Sequence, residues 1–510
     1  MVKRSLNREN IVRDASLFSG SVYISQAMFF IRGFLNARII GPEMYGLWSG
    51  LNIILNYSPY VRLGSLNAMN REIPYHNGRC SAEDMEKTRN AAFTICLITS
   101  LVFSIALMIT GLLLRHKVSL SETVGFITIA IIAFILAIFE FYQTSAIAMR
   151  RFTLISKANI IFAVLSVALT LIFVYRFKIY GVYAVAITII LLNLIYLWLK
   201  EPCRAKLSFD FREMRRLINI GLPLGVINFL DATVISVPSI IVLALLGKAS
   251  LGYYSVAILA TRFLTYFPNS IHRTFEPYIY QRYGETGDIS ELKKYLFKPI
   301  QVMAMLFPVV LAAYYMTVEF FIRHFLAKYT PAIAPFFIIS IAVFFISFAP
   351  TSNAFITAIN KQRYLIPVYM AGIVIGFLSS VIFINMGYGL TSAALGLLLS
   401  FFFIGTVVFI YALNHYVKSA VRCLVYLAGL CLPLIYITAV GCLIEAVVSN
   451  SADIFSDSAK LIIKLAALVI LSLPLVYITN NKTGIISDIL TFLPKFCNSK
   501  IFPEGRQLKS

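Results

Sequence analysis

Eleven residues near the start of the chain return about 206 residues further on. Ile39-Ile40-Gly41-Pro42-Glu43-Met44-Tyr45-Gly46-Leu47-Trp48-Ser49 is echoed by Leu245-Leu246-Gly247-Lys248-Ala249-Ser250-Leu251-Gly252-Tyr253-Tyr254-Ser255, with both glycines, an aromatic residue and the serine in step. Two further anchors keep nearly the same offset: Arg151-Phe152 matches Arg363-Tyr364, and Tyr180-Gly181 matches Tyr388-Gly389. Matches that stay in order and in register over this length imply two copies of one structural unit, which restricts the fold to a duplicated architecture.

The medium of that fold follows from composition. Apolar residues make up 59% of the chain and charged residues 13%, against about 25% charged in soluble domains. Membrane spans of about 20 residues can be laid on 16–38, 43–69, 91–114, 122–149, 157–175, 180–199, 217–246, 250–280, 297–321, 332–358, 364–386, 389–414, 420–445 and 461–480. Six spans per copy bring the second copy into the membrane in the orientation of the first. The predicted fold is therefore all-α and polytopic, with about 14 transmembrane helices: two parallel-repeat six-helix bundles related by a pseudo-two-fold along the membrane normal, plus two C-terminal helices. The predicted domains are 1–200, 201–416 and 417–510, the last including a basic tail. Lys3, Arg4 and Arg8 precede a full-length span without a small-residue cleavage pattern, so no removable signal peptide is expected. The two copies are expected to differ in their inter-helix loops, because Lys248 stands where the first copy has Pro42.

A net charge of +21 raises the question of a polyanionic partner, and its distribution answers it. Arg and Lys concentrate on alternate loops: Arg71, Arg79 and Lys87; Arg150, Arg151 and Lys157; Arg204, Lys206 and Arg212; and the tail with Lys495, Lys500 and Arg506. That is the positive-inside pattern with both termini cytoplasmic. The basic loops serve topology and anionic lipid, and no nucleic-acid partner is expected. The seven cysteines show no Cys-x-x-Cys or Cys/His spacing, so reduced thiols and no metal centre are expected. No phosphate-binding glycine loop, histidine cluster or sizeable outer loop is present to carry chemistry. The chain is expected to be neither an enzyme nor dependent on a cofactor.

What carries information is the set of ionisable residues within spans. A charge at mid-membrane costs at least roughly 2.5–3.5 kcal/mol and is retained where it faces water or a partner. Arg32, Arg62, Glu140, Asp231, Arg262, His272, Arg273 and Glu276 qualify. Ser255, Arg262, Tyr266, Asn269 and Arg273 follow helical steps that place them on one face. Asn228, Asp231 and Ser239 fall nearly on one face of the preceding span if Pro238 does not turn it. These residues predict a polar, net-cationic cleft: Arg32, Arg62, Arg262, Asn269 and Arg273 as substrate-binding candidates, and Asp231 and Glu140 as ion-coupling candidates. Other readings stand beside these. Arg62, following Pro59, is free to snorkel to an interface; Asp231 can serve as a structural bridge to an arginine; Glu140, with Tyr142 and Gln143, can line the cleft or only join helices. Gly41, Gly46, Gly247, Gly252 and Pro223 are the candidate repeat and hinge positions.

Gly41-Pro42-Glu43-Met44-Tyr45-Gly46-Leu47-Trp48-Ser49, with Leu63-Gly64-Ser65-Leu66-Asn67-Ala68-Met69-Asn70-Arg71-Glu72-Ile73-Pro74, resembles the first two helices of Wzx-type polysaccharide (O-antigen) flippases, a branch of the multidrug/oligosaccharidyl-lipid/polysaccharide exporter superfamily. Leu251-Gly252-Tyr253-Tyr254-Ser255-Val256-Ala257 and Glu276-Pro277-Tyr278 resemble that family's eighth helix. The resemblance implies a multi-pass protein of the bacterial cytoplasmic (inner) membrane that moves an undecaprenyl-diphosphate-linked oligosaccharide from the cytoplasmic to the outer leaflet. A proton or sodium gradient acting through Asp231 or Glu140, and polymerase or chain-length partners, are further expectations that the resemblance itself does not fix. None of the cleft charges belongs to these motifs. Alternatives are a multidrug cation exporter of the same superfamily, for which acidic residues should dominate the cleft; a membrane glycosyltransferase or polymerase; and a non-transporting scaffold of a polysaccharide assembly complex.

Overall fold

A computed structural model describes residues 8–78, 81–149, 151–201, 205–449 and 456–483. Among them the chain forms fourteen α-helices joined by short turns, with no strand: α1 Arg8–Tyr57, α2 Ser65–Gly78, α3 Ala82–Leu114, α4 Leu120–Ala148, α5 Phe152–Leu169, α6 Tyr175–Lys200, α7 Phe211–Thr286, α8 Lys293–Phe325, α9 Ile333–Ile346, α10 Ala349–Ala358, α11 Leu365–Asn385, α12 Thr391–Leu413, α13 Ala420–Ser449 and α14 Asp457–Thr483. Ten segments among the described residues are long and apolar enough to cross a membrane. Two of these, Phe152–Lys200 with 49 residues and Gly225–Asn269 with 45, exceed twice the roughly 20 residues a bilayer accommodates. Each is interrupted by a non-helical residue, Lys178 in α6 and Gly247 in α7. The 50-residue α1 is broken likewise at Gly41. Allowing for these breaks, the helices agree with the expected fourteen spans, and the chain is a multi-pass, all-helical membrane protein.

Gly41 and Gly247, the first glycines of the two repeat motifs, take nearly the same backbone conformation, φ 79°, ψ 171° and φ 84°, ψ −179°. No L-residue reaches this region cheaply, and it cannot continue a helix. The expectation that the two loops differ is overturned at this point. Pro42 and Lys248 each open a helix, where proline's missing N–H is no loss and any residue supplies the required φ.

The second glycines explain the rest of the motif. A Cβ placed on Gly46 would overlap the carbonyl of Lys248, and one on Gly252 would overlap the carbonyl of Pro42. The contact is reciprocal and obeys the 206-residue offset at both ends. Copy one thus crosses copy two through the same residues, backbone against backbone, as small residues permit in membranes. Around the crossing, Lys248 pairs with Glu122, which also closes a capping box with Ser119 at the start of α4. The Tyr329 hydroxyl donates to the Ala37 carbonyl at 2.8 Å, and its ring lies edge-on to both Tyr45 and Tyr253.

Contacts divide the chain into two compact units. The first comprises Met1–Phe263, Ile322–Ile339 and Tyr364–Phe401; the second comprises Leu264–Phe321, Ser340–Arg363 and Phe402–Ser510. The first unit's core is built on small residues, with Ala91, Ala92, Ala137 and Ala158 almost wholly buried beside Phe141 and Tyr142. In the second unit α13 and α14 close over Met316, Ile437, Ile444 and Leu468, and Gln301 donates to the Tyr426 hydroxyl at 2.8 Å.

At the expected cytoplasmic end of the first unit, the segment before α7 is strapped to α3. The Lys206 and Ser208 backbone N–H groups donate to Asn90 at 3.0 Å and Thr94 at 2.9 Å. Arg216 bridges Glu72 at 2.7 Å and Glu213 at 2.7 Å, and Glu213 also accepts from Thr88 at 2.9 Å. Hydrogen bonds from Arg216 hold the Glu213 carboxyl below the ordinary glutamate value. An acid depressed in the folded state adds stability above its unfolded pKa and loses it as pH falls through the folded one.

Two outcomes are expected. Gly46→Val and Gly252→Val each destabilise the protein by at least the roughly 1–3 kcal/mol of an overpacked site, read as a lower melting temperature in detergent, because backbone rather than a flexible side chain must yield; Gly20→Val, whose Cβ position is open, is the control. Arg216→Met loses stability at neutral pH, and the difference from the parent protein narrows as pH falls below the glutamate range.

Candidate functional site

The second helical stretch of the chain fails in mid-course for reasons visible in its sequence. After Pro59 the backbone tightens into a 3-10 turn, Ser58–Arg62, and Leu63 and Gly64 follow with positive φ. Gly64 lies so close to Gly221 of α7 that a Cβ on either would overlap the other's carbonyl. The last residue of the turn is Arg62. Its side chain is 2% exposed and pairs with Glu140 at 2.5 Å, the carboxylate remaining 28% exposed. Nε and Nη1 of Arg62 are buried without a hydrogen-bond partner among the described residues. Arg62 thus neither snorkels nor lines the cavity described next, and Glu140 is its counter-ion.

Beside this pair, within the first six spans, is a cavity of about 460 Å³. Its wall takes Ser25, Gln26 and Arg32 from the first part of α1, Trp48 and Asn52 from the part after Gly41, Gln143 from α4, Asn159 from α5 and Asn193 from α6. Phe29, Phe139 and Phe162 fill between them. Among the described residues, one cation, five carboxamides and a tryptophan therefore face one space, and no carboxylate contributes to the wall. Trp48 is held by its ring contact with Tyr183, centroids 5.9 Å apart, and its carbonyl accepts from Asn52 at 2.7 Å.

Arg32 and Arg262 belong to the same unit, and both lie within electrostatic range of the buried Tyr45 hydroxyl. The helix faces that carry them meet: Phe30 lies 6.1 Å from Phe263 between ring centroids, and a Cβ on Gly33 would press on Leu259. Asp231 is exposed on α7 and makes no ion pair among the described residues, so the bridge it was free to form is made by Glu140 instead. Its charge acts on Tyr60, whose hydroxyl donates to the Asn228 carbonyl at 3.0 Å. In α7 the non-helical interior position is Gly247, and the helix runs on through Pro223 and Pro238. Asn269 is half-buried in the second unit; the Arg273 side chain lies outside the described residues.

Sequence reading that counted charges passed over Gln26, Asn52, Asn159 and Asn193. Their signal was available: four carboxamides inside apolar spans of the first copy, where polar groups need partners. Gln143 drew notice only through its neighbour Glu140.

If Arg62 and Glu140 form a unit, removing one partner is worse than removing both. Glu140→Gln and Arg62→Met are each expected to destabilise the protein by about 3–5 kcal/mol, as for other broken buried pairs, and the double variant by clearly less than their sum. A double-mutant cycle of thermal unfolding in detergent checks this.

Two kinds of comparison bear on what this geometry serves. A solved inward-facing multidrug resistance MATE family transporter of the MOP superfamily superposes with a TM-score of 0.67 at 13% identity, covering 78% of this chain and 96% of that one. The lipid II flippase MurJ in an inward closed conformation superposes with a TM-score of 0.64 at 15% identity, covering 91% of this chain and 99% of that one. At such identities the likeness is one of fold, and it agrees with the fold expected from the repeat. A comparison with curated proteins finds no match by sequence. The family model for "Polysaccharide biosynthesis protein" matches residues 35–328, a stretch that covers more than half the chain and both repeat motifs. The chain is therefore a member of the polysaccharide biosynthesis protein family, built on the fold shared by MATE transporters and MurJ.

Proposed function

We propose that the protein flips an undecaprenyl-diphosphate-linked oligosaccharide from the cytoplasmic to the outer leaflet of a bacterial inner membrane, for synthesis of a surface polysaccharide. The observation that carries the reading is the cavity wall, which pairs Arg32 with carboxamides and contains no carboxylate. A site for drug cations needs negative charge where this one has positive, so within a fold that also serves multidrug transporters the wall favours an anionic, polyhydroxylated headgroup. Family membership supports a substrate from polysaccharide synthesis.

The physical task is to lower a barrier. Each unpaired hydroxyl costs several kcal/mol to bring into hydrocarbon, roughly 4–8 on a water-to-cyclohexane reference, and a diphosphate costs far more. Arg32 and Arg262 offer guanidinium donors for the diphosphate, while the polyprenyl chain stays in lipid. Two bundles rocking between inward and outward access would carry the headgroup across. With Glu140 neutralised by Arg62, Asp231 becomes the better candidate for proton or sodium coupling. The protein acts as a transporter and not as an enzyme.

The test uses purified protein in liposomes containing diphosphate-linked glycolipid extracted from host membranes, with a lectin or an external quencher reporting arrival in the outer leaflet. Accelerated exposure over empty liposomes is expected, with the initial rate falling at least tenfold in Arg32→Ala and Arg262→Ala proteins that insert normally. No acceleration by folded protein would remove the flippase reading in favour of the scaffold, and acceleration of a cationic dye instead would favour the drug exporter.

A further inference from the structure

The carboxamides of the cavity have no task in a reading built on the diphosphate alone. Gln26, Gln143, Asn159 and Asn193 line the space, and the buried Oδ1 of Asn193 has no hydrogen-bond partner among the described residues. Each carboxamide carries two N–H donors and an acceptor oxygen. Leaving a buried donor or acceptor unmade costs roughly 1–3 kcal/mol, so a wall selected for packing alone would carry Leu or Phe at these positions. The same wall already contains Phe29, Phe139 and Phe162. Polar groups are thus interleaved with aromatic ones, and the polar ones point to a guest that both donates and accepts.

Sugar rings have that chemistry. Vicinal hydroxyl and acetamido groups present paired donors and acceptors on their edges, which carboxamides match two at a time, and the apolar C–H face of the ring lies flat on an indole. Trp48 supplies that indole, with an N–H donor at its edge. At about 460 Å³ the cavity falls within the about 300–1,000 Å³ of small-molecule sites, enough for one or two sugar residues and too little for a polyprenyl chain. A wall with Arg32 and no carboxylate accepts neutral or acidic sugars and disfavours those bearing a free amine.

We propose that this cavity inside the first six spans is a glycan-reading pocket, in which Gln26, Gln143, Asn159, Asn193 and Trp48 hold the sugars nearest the diphosphate. The proposal rests on the flippase reading and adds to it a site that separates the glycan-bearing lipid from the bare carrier. The reading asks only that the diphosphate be bound, whereas the pocket asks that the sugar be felt.

The chain contains two tryptophans, and Trp198 is not part of the wall. In a Trp198→Phe background Trp48 is therefore the sole indole reporter of the cavity. Its emission is followed while detergent-solubilised full-length protein is titrated with the glycolipid fraction from host membranes and, separately, with undecaprenyl diphosphate. A saturable change with the glycolipid at concentrations at least tenfold lower than with the bare carrier is expected. Asn159→Leu and Asn193→Leu should remove that difference, whereas Arg32→Ala weakens both titrations. Because Asn193 Oδ1 bonds nothing in the protein, Asn193→Leu should melt at or above the parent temperature. If it loses melting temperature together with binding, the residue is structural and the proposal is overturned. Equal responses to the two lipids, unchanged by either Asn variant, overturn it as well. Flipping of the same fraction in liposomes keeps the two ideas apart: flipping without a Trp48 response ends the pocket and leaves the flippase, while a folded protein that shows neither ends both.

Discussion

The reciprocal contact of Gly46 with the Lys248 carbonyl and of Gly252 with the Pro42 carbonyl is the constraint on which the rest of the first unit hangs. In lipid no hydrophobic force drives one helix onto another, so a close crossing relies on backbone approach and on the dispersion it permits. Here the approach is possible only because the same small residue recurs after the same interval. Gly41 and Gly247 set the direction from which each helix enters the crossing, and their shared backbone angles give both copies the same entry. Duplication thus supplied a chain with two surfaces that fit each other because they are the same surface. The Lys248–Glu122 pair and the buried Tyr329 hydroxyl bond to Ala37 add polar contacts around the crossing.

Away from the crossing, the first unit contains irregularities that a membrane helix tolerates only when its neighbours compensate. The break at Ser58–Gly64 is one. Its freed backbone is covered by Gly221, and the arginine it carries finds Glu140. An ion pair at this depth is weak as a source of net stability, since desolvation consumes most of the attraction. Its effect is on geometry, because Arg62 fixes the break against α4 and withdraws Glu140 from any other partner. That leaves the wall of the neighbouring cavity without an acid among the described residues.

How far the sequence reveals all this depends on the kind of signal. The duplication, the number of spans and the special glycines are legible because they are properties of spacing, and spacing survives when side chains differ. The matched backbone of the two loops was hidden by Lys248 standing for Pro42, although both residues suit a first helical turn. The cavity was hidden for another reason. Charges announce themselves in an apolar span, whereas Asn and Gln lower its hydropathy only slightly, and which of them converge depends on helix rotation, which a weak amphipathic pattern leaves open. Arg62 shows the converse, a conspicuous charge whose choice between cavity and interface is not legible in spacing, because the turn after Pro59 sets its facing and brings it to Glu140.

The division of labour between the cations and the carboxamides follows from what each can do in a low dielectric. A guanidinium binds a diphosphate through charge, strongly and with little regard for what is attached to it. Carboxamides bind weakly one at a time, but their donors and acceptors must all be met, so a guest lacking the right partner leaves several unpaired groups behind; discrimination of this kind grows with each one. A transporter that relied on arginines alone would carry the spent carrier lipid as readily as the loaded one. Under the proposal, the carboxamides beside Arg32 would make the attached sugar part of the recognition.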